Sequence, residues 1–175
     1  MNHRTHIFFS LFFLAIIYEI FPILNSYVLY MIAGVIAVIA ALIPDLDHPK
    51  GYLSTGRNWY LIHLAIRRTT THRRWTHSLL GSVIFTIAVF PIALVWGAPL
   101  NIIPFFIGYL SHLVSDSLNP TGVNWFYPKK KTYGLKLIRT GSKREEYFQK
   151  IILVALVGLW LYDGLYNGGS LFRGP

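Results

Sequence analysis

Three short motifs in this chain combine histidine with aspartate or with a second histidine: Asp45–His48, His72–His77 and His112–Asp116. Neutral imidazole and carboxylate are the usual ligands of zinc and similar divalent ions. The sequence has only seven acidic residues and three of them lie in these motifs, so the clustering indicates a metal site. With one more histidine near the N-terminus, the candidate metal ligands are His6, Asp45, Asp47, His48, His72, His77, His112 and Asp116.

The third motif has the clearest geometry. His112 and Asp116 are four positions apart, so on a helix they share a face and can bind one ion. The segment 119–122, Asn-Pro-Thr-Gly, then ends that helix with residues typical of turns. The alternative for the pair is a plain ion pair, and for His112 alone a buried histidine bonded to a carbonyl group.

The other two motifs need non-helical backbone. A proline follows Asp45–His48 and biases the preceding residue away from helical angles, which predicts an extended or turned segment whose two aspartates project the same way. His72 and His77 converge if a helix begins near Thr76, an acceptable N-cap, with His72 in the loop before it. Taken singly, each aspartate also fits a helix C-terminal turn, and His72 also fits an exposed loop.

Long apolar blocks surround these motifs in a sequence that is 54% hydrophobic and 13% charged. They are Ile7–Leu24, Tyr27–Ile43, Leu79–Trp96, Leu100–Val114 and Ile151–Tyr162. A membrane-spanning helix needs about 20 mostly apolar residues. The blocks therefore predict an all-α integral membrane bundle of four to five transmembrane helices, formed as a single domain over residues 1–175. For the two shorter blocks the alternative is a buried amphipathic helix.

The net charge of +9 has a distribution that indicates membrane topology. The two short connections, near Asn25 and near Gly97, contain no lysine or arginine. If the N-terminus is cytoplasmic, fifteen of the sixteen basic residues lie on the cytoplasmic side. This pattern predicts a multi-pass protein of the cytoplasmic (inner) membrane with lipids as partners, rather than a protein that binds nucleic acid directly. A cleaved signal peptide is the alternative for the N-terminal block.

The same topology brings the candidate ligands together. An up-and-down bundle with a cytoplasmic N-terminus places the start of the first helix, the end of the second, the start of the third and the end of the fourth at one interface. Every candidate ligand lies at one of these four helix ends. Ionisable groups near a membrane core are costly and usually functional. We therefore expect one shared metal site at the cytoplasmic helix ends.

Four segments resemble the YdjM-type family, which is described as LexA-binding, inner-membrane-associated, metal-dependent hydrolases. They are Leu42–Pro49, His72–Leu79, Gly108–Asp116 and Pro120–Gly122, and the similarity runs from His6 to beyond Ser142. Arg74 replaces the small residue usual in the second motif. The family is distantly similar to zinc-dependent phospholipases C and zinc nucleases, which also use a His-x-x-x-Asp/Glu pair. The resemblance implies phosphoester chemistry.

The preferred function is therefore a membrane-bound phosphoesterase acting on a lipid or lipid-linked phosphate. The cofactor is expected to be zinc, as one or two ions, with Mn²⁺ or Mg²⁺ as alternatives. Asp45 and Asp47 are the candidate catalytic residues, as a bridging ligand or the acceptor of a water proton. Arg73 and Arg74 are candidates for binding the phosphate; topology-setting charge is the alternative for both. The alternative functions are a regulatory interaction protein with a structural metal and, less favoured, a metal-ion transporter.

Three polar residues are assigned other roles. His3 lies at the terminus, and His63 is expected at the membrane interface rather than among the ligands. The segment Ser142–Glu145 matches a capping box, so Glu145 is expected to be structural.

Overall fold

The computed structural model describes residues 1–21, 27–48, 51–54, 60–69 and 75–166. All elements of regular secondary structure in these residues are helices, which confirms the all-α prediction. Residues 118–142 form a loop with one isolated bridge, between Val123 and Tyr133. Three 3-10 turns, Pro44–Asp47, Trp75–His77 and Pro99–Asn101, connect or precede helices. The α-helices of the described residues are α1 (His3–Ile20), α2 (Tyr27–Leu42), α3 (Tyr60–Thr69), α4 (Leu79–Val95), α5 (Ile102–Ser117) and α6 (Lys143–Tyr166).

Helix α5 is the centre of the bundle and packs against α1, α2 and α4. Its closest approach is to α2 at Gly108, where a Cβ atom would lie only 2.2 Å from the carbonyl oxygen of Ala37. Only glycine leaves room for the two backbones at this distance. His112 and Ala41 lie one turn later on their helices. The contact at Gly108 therefore sets the register in which His112 meets α2.

One described helical stretch, Val28–Asp47, is long and apolar enough to cross a bilayer. It comprises α2 and the following 3-10 turn. Helix α4 is also apolar but has 17 residues. The structure therefore supports one span among the described residues, and the larger number of four to five remains a prediction.

Glu145 ties the start of α6 to the start of α1. Its side chain is buried, and its carboxylate accepts hydrogen bonds from the Asn2 backbone (2.7 Å), the Thr5 hydroxyl (2.8 Å) and the Gly141 backbone (2.6 Å). The Glu145 amide also faces the Ser142 hydroxyl at 3.4 Å, which is half of a capping box. Glu145 thus has the structural role expected, and it holds the α1 turn from which His6 projects.

The start of α4 differs from the sequence prediction. Its N-cap is Ser78, whose hydroxyl accepts a hydrogen bond from the Gly81 amide at 3.1 Å, not Thr76. The Trp75–His77 turn precedes the helix, so Thr76 lies in that turn with its hydroxyl directed elsewhere. This hydroxyl donates to Asp47 instead, at 2.6 Å.

Candidate metal centre

Three imidazoles from separate elements converge at one end of the bundle. His6 comes from the first turns of α1, His77 from the turn before α4, and His112 from the C-terminal half of α5; all three are fully buried. The His6 and His112 rings stack with centroids 3.9 Å apart. The Nε2 atoms of His77 and His112 are 3.2 Å apart. The sequence predicted this convergence, because all three positions lie at helix ends.

Two carboxylates complete the cluster. Asp45 Oδ1 lies 3.5 Å from His77 Nε2 and 3.9 Å from His112 Nε2. Asp116 Oδ2 lies 3.9 and 3.8 Å from the same two nitrogens, and its Oδ1 is 3.6 Å from His6 Nε2. Asp116 Oδ1 also pairs with the Met1 amino group. The Asp45 side chain is 21% exposed and that of Asp116 only 1%, so Asp45 marks the side of the cluster that solvent reaches.

The donor atoms fall into two overlapping groups, each within 4.8 Å: His6, Asp45 and His112, and His77, His112 and Asp116. Ligand atoms about 2.0–2.1 Å from a tetrahedral ion lie about 3.3 Å from one another. The observed separations of 3.2–3.9 Å are close to this value, so small shifts would bring the atoms to an ion. Since both groups share one His112 nitrogen, the described residues form one connected centre.

The hydrogen bonds of His112 and His6 direct a lone pair toward this centre. His112 Nδ1 donates to the Ala41 carbonyl at 2.7 Å. His6 Nδ1 lies 2.9 Å from the Ser115 hydroxyl, which gives its own hydrogen to the His112 carbonyl and therefore accepts from His6. In both rings Nδ1 carries the proton and Nε2 keeps the lone pair that a metal ion would bind. The buried Nε2 of His6 has no hydrogen-bond partner among the described residues, as expected of a metal ligand.

His77 is oriented by a carboxylate. Its Nδ1 lies 3.5 Å from Asp47 Oδ2, and the Thr76 hydroxyl donates to the same oxygen. The Thr76 carbonyl in turn accepts a hydrogen bond from the buried Tyr109 hydroxyl at 2.6 Å. A carboxylate behind a histidine fixes the ring and raises its basicity as a metal ligand. Asp47, predicted as a ligand or catalytic residue, thus lies behind His77 and outside both donor groups.

The charge around His77 favours a cation. Burial alone lowers the pKa of His77, but its hydrogen bonds to Asp45 and Asp47, with the negative charges of both, outweigh burial and raise it to about 9. A proton and a metal ion compete for the same Nε2 atom. The residues present therefore fit a divalent cation, with imidazole and carboxylate donors typical of zinc.

The segment containing Asp45 is a 3-10 turn, the second of the two predicted alternatives, an extended or a turned segment. Pro44 stands at its first position, where a missing amide hydrogen has no cost. His63 is 5% exposed, and its Nδ1 lies 2.6 Å from the Leu46 carbonyl, because α3 packs against the turn. Its expected position at the membrane interface remains a prediction. His63 is in neither donor group.

Four further residues were predicted for the site, His48, His72, Arg73 and Arg74. The side chain of His48 is partly exposed and belongs to neither donor group. Its carbonyl accepts hydrogen bonds from the Ser54 hydroxyl and the Gly51 amide, which hold the chain after the turn. His72, Arg73 and Arg74 lie outside the described residues, so their roles remain predictions.

Sequence reasoning missed the partners that orient the ligands: Ser115, Thr76, Tyr109 and the Ala41 carbonyl. Ser115 follows His112 by three positions, which places both on one side of α5 and is a weak signal. The other contacts join residues far apart in sequence. No local pattern indicates them.

The sequence has relatives among known proteins. The sequence model of the family described as YdjM inner membrane protein matches residues 1–167. Inner membrane protein YdjM of Escherichia coli (strain K12) is 32% identical over 140 residues, which cover 77% of this chain and 69% of that protein. The Shigella flexneri protein of the same name gives the same values. A Bacillus subtilis (strain 168) protein, uncharacterized protein YvsG, is 31% identical over 130 residues, 73% of each chain.

No solved structure matches the chain significantly. The family match covers nearly the whole sequence and includes every residue of the two donor groups. It confirms the resemblance carried by the three motifs. The chain belongs to the YdjM inner membrane protein family.

Proposed function

We propose that this protein is a membrane-bound, metal-dependent hydrolase, a phosphoesterase whose substrate is a lipid or lipid-linked phosphate. The observation that carries the proposal is the arrangement of five donors with one open side: three buried histidines with Nε2 directed inward, the buried Asp116, and the partly exposed Asp45. A structural ion is usually enclosed by four ligands, whereas a catalytic ion keeps a position open to water or substrate.

The bound ion supplies Lewis acidity and lowers the pKa of water at the site. Asp45 is the residue of the cluster that both solvent and the buried donors reach, so its carboxylate accepts the proton of the attacking water. The new bond forms between the water oxygen and phosphorus, the ester P–O bond breaks, and the leaving oxygen takes up the proton that Asp45 received. Asp47 keeps His77 oriented throughout. Arg73 and Arg74 bind the phosphate oxygens in this proposal.

The lipid class of the substrate follows from the position of the centre. Asp45 follows α2 directly, within the stretch that is long and apolar enough to cross a bilayer. The centre then lies at the membrane surface, where the phosphate of a lipid is found and its chains remain in the bilayer. We place this surface on the cytoplasmic side, since the loops 45–76 and 117–150 carry most of the basic charge.

A second candidate is a regulatory interaction protein with a structural ion, and the full burial of His6, His77 and His112 favours it. Transport of a metal ion is supported less, because the donors lie at helix ends rather than at mid-membrane. If the ion is structural, the protein should bind metal tightly and hydrolyse no substrate.

The deciding experiment combines metal analysis with a substrate panel. Protein purified in detergent is analysed for metal by mass spectrometry and then tested on lipid, nucleotide and polyprenyl phosphates, with and without chelator. Hydrolysis that chelator abolishes and zinc restores supports the proposal. Metal-containing protein with no hydrolysis of any substrate, or hydrolysis that resists chelator, refutes it.

Orientation has its own test, because the chain contains no cysteine. A single cysteine at Lys130, which is exposed, should react with an impermeant maleimide only in inverted vesicles. Reaction in intact cells would place the centre on the outer side.

A further inference from the structure

An apolar groove lies on the side of the bundle between α2 and α6, with Leu11 of α1 between them. It encloses a cavity of about 510 Å³. One wall includes Val35 and Val38 of α2, and the opposite wall includes Leu156 and Trp160 of α6. None of the described residues that line the groove belongs to either donor group, so the groove is a separate feature of the molecule.

The length of the groove matches one leaflet of a membrane. On α2 its lining runs from Tyr30 to Ile39, nine positions and about 13.5 Å of helix rise. The hydrocarbon core of a bilayer is about 30 Å thick, so the groove has about half that depth. A transmembrane helix from another protein would need a surface of full thickness. A single hydrocarbon chain of one leaflet fits the observed length.

One end of the groove points toward the metal centre and toward positive charge. Ile39 stands six positions before Asp45 along the α2 segment. On α6 the exposed Lys150 stands six positions before Leu156, with Lys143 and Arg144 further along at the start of the helix. Near that start, Glu145 is bonded to the α1 turn beside His6. The groove therefore leads from the apolar interior toward an end where basic side chains and the metal centre are close.

We propose that this groove binds one hydrocarbon chain of an anionic phospholipid, with the headgroup at the Lys150 end. The bilayer is as apolar as the groove, so the chain gains little by moving between them. Selectivity must come from the headgroup, and each basic residue near a membrane surface contributes about a fivefold preference for anionic lipid. The idea that this lipid is also the substrate rests on the proposed function; binding of the chain does not.

The test is photolabelling of the full-length protein in detergent micelles. Two probes are compared, a long-chain phosphatidic acid and a phosphatidylcholine, each with a diazirine near the chain end. Labelled peptides are located by mass spectrometry. We expect the phosphatidic acid to label the Val35–Val38 and Leu156–Trp160 segments at least about fivefold more than the phosphatidylcholine does.

Substitutions in the groove distinguish labelling by lipid bound there from labelling by lipid that contacts the helix surface in general. Val38→Trp and, from the opposite wall, Leu156→Trp should each fill the groove and reduce its labelling. Ile32→Trp is the matched control, because Ile32 is exposed on the same helix but does not line the groove. The metal content of each variant shows that it is folded. Equal labelling by both probes, or labelling unchanged in both groove variants, overturns the proposal.

A second copy of the chain is the competing occupant. Val35→Cys in this cysteine-free chain reports it, because oxidation would then join two copies through a disulfide. Efficient cross-linking of this kind also overturns the proposal.

Measurements of hydrolysis distinguish lipid binding in the groove from the proposed function. Val38→Trp should slow hydrolysis of long-chain phosphatidic acid and leave a small soluble phosphoester unaffected. If the groove is labelled as expected and no phosphoester is hydrolysed, the proposed function fails and lipid binding stands.

Discussion

Replacing Asp47 by asparagine tests whether this residue binds the metal or orients His77. The amide keeps the size of the carboxylate but removes its charge. Asp47 Oδ2 accepts the Thr76 hydroxyl at 2.6 Å and lies 3.5 Å from His77 Nδ1. Loss of the partner behind a ligand typically costs 10–100-fold in metal affinity. This range corresponds to about 1.4–2.7 kcal/mol, close to the worth of one hydrogen bond to a charged group.

The assay is a zinc titration of metal-free protein against a fluorescent chelator. We expect Asp47→Asn to weaken zinc binding by about 10–100-fold, compared with a much larger loss for His112→Ala, which removes a direct donor. Thr76→Val should show part of the Asp47→Asn effect, because the carboxylate loses its anchor. Thr76→Ser, which keeps the hydroxyl, is the matched control.

Two results would refute the reasoning. If Asp47→Asn weakens binding as severely as His112→Ala, Asp47 is itself a ligand, as the sequence alone suggested. If Asp47→Asn binds zinc as tightly as the unmodified protein, the contact between Asp47 and His77 has no role in the centre.

Three further predictions follow from the centre and its scaffold. The double variant His112→Ala/Asp116→Ala should lose bound metal, measured by mass spectrometry, yet still insert into membranes. His3→Ala is the control. If the double variant kept the wild-type metal content, neither His112 nor Asp116 would be a ligand. Zinc affinity should rise by up to tenfold per pH unit until about pH 9, where His77 loses its competing proton; a flat profile from pH 7 to 9 would contradict this. Gly108→Ala should destabilise the protein by about 1–3 kcal/mol, seen as a lower Tm, because the added Cβ would collide with Ala37. An unchanged Tm would show that α2 and α5 can move apart without cost.

The raised pKa of His77 also makes the stability of the metal-free protein depend on pH. The folded-state pKa of about 9 exceeds the ordinary value of 6.5. Protonated His77 therefore stabilises the metal-free fold fully below about pH 6.5, and this contribution is lost as the pH rises toward 9. Zinc-bound protein should not show this loss, since the ion replaces the proton.

The sequence predicted the parts of the centre that depend on local spacing and helix order. The four-residue interval between His112 and Asp116 places Nε2 and Oδ2 3.8 Å apart on α5. The order of the apolar blocks brought His6 and His77 to the same end. These predictions succeeded because a helix has a fixed period and because helix ends gather at the surfaces of a bundle.

The orienting contacts depend on tertiary packing, which a single sequence does not display. The bond from His112 to the Ala41 carbonyl exists because Gly108 lets α5 approach α2 closely. Another free carbonyl of the last turn of α2 could have taken that role in another register. The contact of His63 with the Leu46 carbonyl was missed for a related reason: its helix is amphipathic, and amphipathicity does not say whether the apolar side meets lipid or protein.

The contact between Glu145 and the α1 turn has a consequence for biogenesis. Asn2 and Thr5 are synthesised long before their partner on α6, which lies 140 or more positions later in the sequence. His6 and Asp116, whose side chains meet at the centre, are likewise 110 positions apart. In the function proposed above, the ion can therefore be enclosed only after α5 has been made. A chain that stops before α6 would lack the Glu145 contact to the α1 turn and should hold less metal.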